Sequence, residues 1–277
     1  MERKKVTIAD LREKKREGKK ITMLTAYDYP MAKLVDEAGI DIALVGDSLA
    51  NVVLGLDSTV HVTMDDMIHH AKAARRGIKC SLLIGDMPFG SYGVPKEAVR
   101  NATRFVKEAG CDAVKLEGGY DAVEVTKAIV GAGIPVLGHI GLTPQTAASK
   151  GGFKVQGKSA EAAKRLIDEA LALEKAGSFA VVLECVPDLV AKMITEKLSI
   201  FTISCGGGKY CDGQVLVTND MLGLFDRYTP KFVKKYVNLW PMILEALKKY
   251  KEEVESGAFP DPEHSFTIKE EELKKLE

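Results

Sequence analysis

One phrase recurs along the chain. "EAGIDIALVGD" (37–47), "EAGCDAVKLEGG" (108–119), "GAGIPVLGH" (131–139) and "KAGSFAVVLE" (175–184) share one plan: a helical segment ends in glycine, and a short β-rich apolar run follows. Glycine suits the left-handed position just past a helix end because it has no Cβ to clash there. The runs are too short for helices and apolar on both faces, as a strand buried in a parallel sheet is. Amphipathic stretches lie between them. In 63–77, Thr63 is placed as an N-cap with Asp66 three residues on, and Arg75 and Arg76 close the last turn, complementing the helix dipole. Residues 95–110 and 187–198 each open on a proline, suited to a first helical turn, and 160–177 is a further helical stretch.

The alternation predicts strands near 21–25, 41–46, 80–85, 111–116, 134–138, 179–183, 199–204 and 214–217. Eight strand–helix units within ~250 residues fit a (β/α)8 barrel, the TIM barrel, whose active site lies at the C-terminal ends of its strands. An open doubly wound sheet is the rival, with less support. The glycine-rich segment 204–213 comes late and lacks GxGxxG, and there is no GxxxxGK[ST] phosphate loop. The expected organisation is one barrel domain over 1–277, with an N-terminal segment 1–20 and a C-terminal helical extension 230–277. Pro241 is expected to kink or break the helical pattern at 230–257. The connection 141–158, rich in Gly, Ser, Thr and Lys, is expected to be a long structureless loop, a kind that is often functional.

Several of the apolar runs end in an acid: Asp47, Asp86, Glu117 and Glu184. In a barrel such ends converge at one mouth, which puts these four in one site with Lys115 and His139 alongside. Carboxylates with few nitrogen ligands favour a hard cation, Mg²⁺ before Zn²⁺. Mg²⁺ leaves positions for water and for a ligand with two adjacent oxygens, such as an α-keto acid. It polarises a keto oxygen and acidifies the neighbouring C–H, so a base is needed near that carbon. Clustered carboxylates raise one another's pKa, which tunes a glutamate towards that role. Lys115 is placed to neutralise a substrate carboxylate or a developing enolate oxygen. Taken singly, each residue has a plainer reading. An Asp after a strand is a cap or turn residue, Glu117 before Gly118 and Gly119 starts a turn, and His139 is a packed histidine. Asp65, Asp66, His69 and His70 read as capping and surface residues of a helix. The repetition of acids at strand ends favours the functional reading.

Bulk properties narrow the partners. Lys plus Arg and Asp plus Glu both number 39 in 277 residues, so the formal net charge is zero and no basic excess points to nucleic acid. The basic start "MERKKVTIADLREKKREGKK" reads as a solvated amphipathic segment. No apolar run reaches the ~18 residues that span a bilayer, and the start lacks the apolar stretch of a signal peptide. Five scattered cysteines without a CxxC fit a reducing, cytoplasmic setting.

The stretches "TAYDYPMAKLVDEAGID", "VGDSLANVVLGLDSTVHVTMDDMI", "GDMPFGSYG", "NATRFVKEAGCDAVKLEGG", "GIPVLGHIGLTPQ", "GGFKVQGK", "LECVP" and "CDGQVLVTNDMLGL" cover most of residues 22–236 in order. Together they resemble the ketopantoate hydroxymethyltransferase family. The resemblance implies a (β/α)8 barrel of the phosphoenolpyruvate mutase and isocitrate lyase type with extra terminal helices. It implies Mg²⁺, 5,10-methylenetetrahydrofolate as co-substrate, and hydroxymethyl transfer to 3-methyl-2-oxobutanoate giving 2-dehydropantoate, in pantothenate and coenzyme A biosynthesis. Carried over by motif, Asp47 and Asp86 are metal-proximal carboxylates that also meet the substrate, and Glu117 is an outer acid of the metal site. Ser48 and Lys115 hold the keto acid, His139 is a nearby polar contact, and Glu184 is the proton acceptor. The family also implies a large homo-oligomer, a decamer among the candidates, with C-terminal helices reaching neighbouring subunits. Two stretches depart from the family pattern: "SCGGG" (204–208) stands where "GIGAG" is usual, after Phe201 in place of a common proline, and "SLAN" (48–51) where "SLGM" is usual. The alternatives are a Mg²⁺-dependent lyase or mutase acting on another 2-oxo acid, and a non-catalytic barrel that binds keto acids.

Overall fold

The four glycines of the recurring phrase, Gly39, Gly110, Gly133 and Gly177, all take positive φ, between +68° and +103°. Each turns the chain from a helix into the next strand, as the phrase predicts. The structure is a computed structural model and describes residues 3–150 and 152–276. Met1 and Glu2 of the expected N-terminal segment, Gly151 of the long connection and Glu277 of the expected C-terminal extension lie outside the described residues.

The strands are β1 (Ile21–Thr25), β2 (Ile42–Val45), β3 (Leu82–Asp86), β4 (Ala113–Glu117), β5 (Val136–Gly141), β6 (Ala180–Glu184), β7 (Phe201–Cys205) and β8 (Gly213–Leu216). They pair in sequence order, parallel throughout, and β8 closes on β1, with Ile21 opposite Gly213. This is the expected closed barrel. The helices are α1 (Ile8–Arg16), α2 (Tyr29–Glu37), α3 (Leu49–Val52), α4 (Met64–Gly77), α5 (Pro95–Ala109), α6 (Val123–Gly131), α7 (Ala160–Lys175), α8 (Asp188–Lys197), α9 (Thr218–Met221), α10 (Leu239–Ser256) and α11 (Glu270–Leu273). Thr63 and Asp66 form the anticipated capping box of α4, and Pro95 opens α5. Among the described residues no helix is long and apolar enough to cross a membrane.

Two apolar layers make the core. The outer one lies between strands and helices and includes Ala71, Phe105, Ile129 and Leu173. The inner one fills the barrel with Ile21, Met23, Ile42, Leu44, Leu82, Ile84, Ala113, Leu137, Val182 and Ile203. Side chains alternate in direction along a strand, so every second residue faces the interior. Following that period upward from Leu82, Ala113, Leu137 and Ala180 leads to Asp86, Lys115, Glu117, His139 and Glu184. The same face that builds the barrel core therefore builds the polar mouth.

The basic start differs from the solvated segment expected of it. Leu11 of α1 is fully buried and joins the inner layer. Around it Lys5, Lys14 and Lys15 reach Asp112, Asp41 and Asp212 at 2.6, 2.6 and 3.0 Å. Those aspartates stand just before β4, β2 and β8. The lysines thus neutralise acids at the N-terminal ends of the strands, opposite the mouth. The connection 141–158 is also more ordered than expected. It carries a 3-10 helix, Pro144–Lys150, and Leu142, Thr143, Gln145 and Ala147 are buried. Apolar anchors and a buried amide hold what the composition marks as loop.

The chain divides into two compact units, Met1–Thr218 with Thr229–Val233, which contains the barrel, and Asn219–Tyr228 with Lys234–Glu277. In the second unit the helical pattern expected over 230–257 starts only at Leu239. Pro241 neither kinks nor breaks it. It occupies the first turn, where a backbone N–H has no helical partner to lose.

Candidate active site

Parallel register sets the first contacts. Asp86 on β3 is level with Lys115 on β4, and Glu117 on β4 is level with His139 on β5. Lys115 Nζ donates to Asp86 Oδ1 and Oδ2 at 2.7 and 2.8 Å and lies 3.7 Å from Glu117 Oε1. Asp47, in the turn after β2, donates its backbone N–H to Asp86 Oδ2 at 3.1 Å. His139 bridges the far side: Nδ1 is 3.5 Å from Glu117 Oε1, and Nε2 is 3.3 Å from Glu184 Oε2. Ser48 follows Asp47 and exchanges a 2.8 Å hydrogen bond with the Tyr27 hydroxyl. The structure therefore gathers Asp47, Asp86, Lys115, Glu117, His139 and Glu184 at one mouth, with Ser48 on its rim.

Burial gives these groups unusual acidities. Asp86 and Lys115 are 1% and 4% exposed. Burial pushes Asp86 up to about 7; Lys115 opposes this and Asp47 adds to it. Burial lifts Glu117 well above the carboxylate range, against Lys115 and with Asp47, Asp86 and Glu184 reinforcing. Burial alone would lower the Lys115 ammonium, but Asp86, Glu117 and Asp47 outweigh it and hold Lys115 above its ordinary value. Burial and then Lys115 hold His139 below its ordinary value against the pull of Glu184, so the imidazole is neutral at pH 7. Cys185, beside Glu184, takes φ +48°, uncommon outside glycine. The departure at 204–208 reaches this corner, because Cys205 is the β7 register partner of Glu184.

Two residues of the site escape the acid-at-strand-end pattern. Gln145 donates from Nε2 to Asp47 Oδ2 and to the Met87 carbonyl, both at 3.0 Å. Tyr92 donates its hydroxyl to Gln145 Oε1 at 2.5 Å. Both lie inside the family-like stretches "GDMPFGSYG" and "GLTPQ". Nothing in an amide or a phenol on a loop marks it as part of a carboxylate cluster.

The donors fit a hard divalent cation. Asp86 and Glu117 share one ammonium, and among the described residues buried Glu117 Oε1 and both His139 ring nitrogens have no hydrogen-bond partner. Buried polar groups left this way call for a polar or ionic ligand. Among the described residues no group of three or more His, Cys, Asp or Glu is arranged to hold a metal by itself. Mg²⁺ takes one or two carboxylates and fills its other positions with water and substrate oxygens, and Asp47 and Asp86, joined through the Asp47 N–H at 3.1 Å, would supply such a pair.

The comparisons agree with this construction. The sequence profile described as ketopantoate hydroxymethyltransferase matches residues 5–262. A protein of Syntrophomonas wolfei named 3-methyl-2-oxobutanoate hydroxymethyltransferase is 61% identical over 273 residues, 98% of this chain and 99% of that protein. One of the same name from Heliobacterium modesticaldum is 58% identical over 269 residues, 97% of this chain and 98% of that protein. Among solved structures, a 2,3-dimethylmalate lyase of the phosphoenolpyruvate mutase/isocitrate lyase superfamily superposes with a TM-score of 0.59 at 16% identity. The match covers 94% of this chain and 92% of that one. A phosphonopyruvate hydrolase solved with oxalate and Mg²⁺ gives 0.60 at 11% identity, over 94% and 93%. These two share the fold, whereas the full-length matches at 58% and 61% identity, with the profile, establish that the chain belongs to the ketopantoate hydroxymethyltransferase family, enzymes named 3-methyl-2-oxobutanoate hydroxymethyltransferase.

Proposed function

We propose that the site binds 3-methyl-2-oxobutanoate with Mg²⁺, removes a proton from its branched carbon, and adds a one-carbon unit from 5,10-methylenetetrahydrofolate. The observation that carries this reading is the convergence of Asp47, Asp86, Lys115, Glu117 and Glu184 from four strand ends around neutral His139. Asp47 and Asp86 are the carboxylates that would hold Mg²⁺, with Glu117 outside them. When bound, the cation polarises the keto oxygen and acidifies the adjacent C–H.

The remaining work falls to side chains. Lys115 Nζ and Ser48 Oγ donate to the keto acid, and Lys115 stabilises negative charge that develops on its oxygens. Glu184 takes the proton. Its side chain is 15% exposed, and among the described residues no lysine or arginine lies within ion-pair distance of it, whereas Asp86 and Glu117 both face Lys115. Of the three it is the one whose oxygens are not taken by a lysine ammonium and which keeps some exposed surface to meet a substrate. The deprotonated carbon then bonds to the methylene carbon, whose two bonds to the folate nitrogens break; water supplies the hydroxyl oxygen, and one water proton and the proton taken by Glu184 go to those nitrogens as tetrahydrofolate leaves.

A homo-oligomer belongs to the same reading. Helix α10 has no buried residue and exposes Trp240, Met242, Ile243, Leu244 and Leu247, an apolar set suited to a subunit interface.

The test is proton NMR of 3-methyl-2-oxobutanoate in D₂O with the protein, with and without Mg²⁺. Exchange at the branched carbon that requires Mg²⁺ is the expected result, and no exchange in its presence overturns the reading. A coupled assay with methylenetetrahydrofolate separates hydroxymethyl transfer from a lyase or mutase, and product formation separates it from a binding protein.

A further inference from the structure

We propose that Gln145, locked by Tyr92, is a positioning residue that fixes Asp47 relative to Glu117 and thereby sets the affinity of the site for divalent cation and keto acid. The inference rests on the function proposed above and deepens it.

Gln145 is 3% exposed and every polar group it carries towards the site is engaged. Its backbone N–H donates to Glu117 Oε2 at 3.1 Å. Both amide protons are used, one on Asp47 Oδ2 and one on the Met87 carbonyl, each at 3.0 Å. One residue thus ties together the chain just past β2, the chain just past β3, the end of β4 and the turn after β5.

The amide has only one orientation available. The Tyr92 oxygen accepts the Glu117 backbone N–H at 3.4 Å, and its single proton goes to Gln145 Oε1 at 2.5 Å. Turning the amide over would set Oε1 against Asp47 Oδ2 and the Met87 carbonyl, three acceptors with no proton among them. The result is a closed circuit: Glu117 N–H to Tyr92, Tyr92 O–H to Gln145, and Gln145 N–H back to Glu117 Oε2, with Asp47 held from the amide.

The choice of an amide matters chemically. A lysine on Asp47 would cancel the charge a cation needs, as Lys115 already does in part for Asp86. A neutral amide N–H on a carboxylate makes a charge-assisted hydrogen bond that orients it and leaves its charge in place. Such outer partners of metal-binding carboxylates typically contribute about 10- to 100-fold in metal affinity.

The test uses the full chain with Gln145→Met, which keeps size and removes all three side-chain hydrogen bonds, and separately Tyr92→Phe, which removes only the hydroxyl. MgCl₂ alone, and MgCl₂ with 3-methyl-2-oxobutanoate, are titrated by calorimetry, and Mg²⁺-dependent deuterium exchange is followed in parallel. In Gln145→Met the Mg²⁺ half-saturation point and the keto-acid KM are expected to rise about 10- to 100-fold, while the exchange rate at saturation changes far less. Tyr92→Phe is expected to shift both in the same direction by less. Unchanged Mg²⁺ half-saturation in a folded Gln145→Met protein overturns the proposal; if that variant does not fold, the same result in Tyr92→Phe does so. Wild-type protein that binds Mg²⁺ but not the keto acid would refute the substrate assignment and leave the Mg²⁺ comparison to decide the role of Gln145. Wild-type protein that binds no Mg²⁺ would overturn both.

Discussion

Lys115 and Asp86 are register partners on adjacent strands, and the lysine ammonium touches both carboxylate oxygens in a place almost sealed from water. Removing one partner of a buried pair leaves the other charge uncompensated, at a cost of about 3–5 kcal/mol, whereas removing both together is far less damaging. Lys115→Met is therefore expected to destabilise the protein by about that amount, and the double variant Lys115→Met/Asp86→Leu by much less than the sum of the singles. Denaturant unfolding of the four proteins in a double-mutant cycle checks this. Additive losses would mean that the two charges are not coupled.

Glu184 is assigned to proton removal because no lysine or arginine among the described residues occupies its oxygens, while His139 Nε2 stands 3.3 Å from Oε2. Glu184→Gln preserves shape and the 3.3 Å approach of His139 while removing the base. Deuterium exchange at the branched carbon of the keto acid is expected to fall by about 100-fold or more, the scale of general-base catalysis. Calorimetric binding of the keto acid with Mg²⁺ is expected to change little. Loss of both would show that Glu184 holds the substrate and that the base lies elsewhere.

The parts of this site that are legible in the sequence are those tied to the strand period. Asp86, Glu117 and Glu184 end apolar runs, and a barrel converts run ends into neighbours. Lys115 looks misplaced inside "AVKLE" until the inward alternation from Ala113 to Glu117 places it. Gln145 and Tyr92 are not legible in this way, because their roles depend on which atoms meet across loops, and polarity alone does not specify that. The basic start misleads for a related reason. A charge run looks solvated unless the positions of Asp41, Asp112 and Asp212 beneath the barrel are known. Residues 230–238 are not helical in the structure, so α10 begins at Leu239.

His139 gives the site an acid limit. Its folded-state pKa is depressed below 6.5, chiefly by burial and then by Lys115. Between the folded value and 6.5 the unfolded chain binds more protons. The stabilisation is therefore present above 6.5 and lost as pH falls through the folded value. Each unit of depression corresponds to about 1.4 kcal/mol. Unfolding free energies of wild type and His139→Gln, measured from pH 7.5 down to pH 5, are expected to differ by an amount that shifts with pH in this window, wild type losing more. Parallel curves would mean that the imidazole charges freely in the folded protein.

Leu11 is the fully buried apolar residue that the N-terminal segment gives the barrel interior, with Val6 and Ile8 packed beside it, and it sits among Ile21, Met23, Ile42 and Ile203 at the end opposite the active-site mouth. A leucine truncated to alanine in such a place loses its transfer free energy and leaves a cavity, about 2–5 kcal/mol in total. Lys14→Ala breaks a pair whose lysine is a third exposed, so the effect there is screened by solvent and expected to be near or below about 1 kcal/mol. Leu11→Ala is therefore expected to lower the unfolding midpoint clearly and Lys14→Ala only slightly, with Mg²⁺-dependent deuterium exchange per folded molecule unchanged in both. Thermal unfolding combined with the exchange assay reads the two effects separately. If Leu11→Ala left stability intact, α1 would be an adornment of the barrel rather than the plug of its floor.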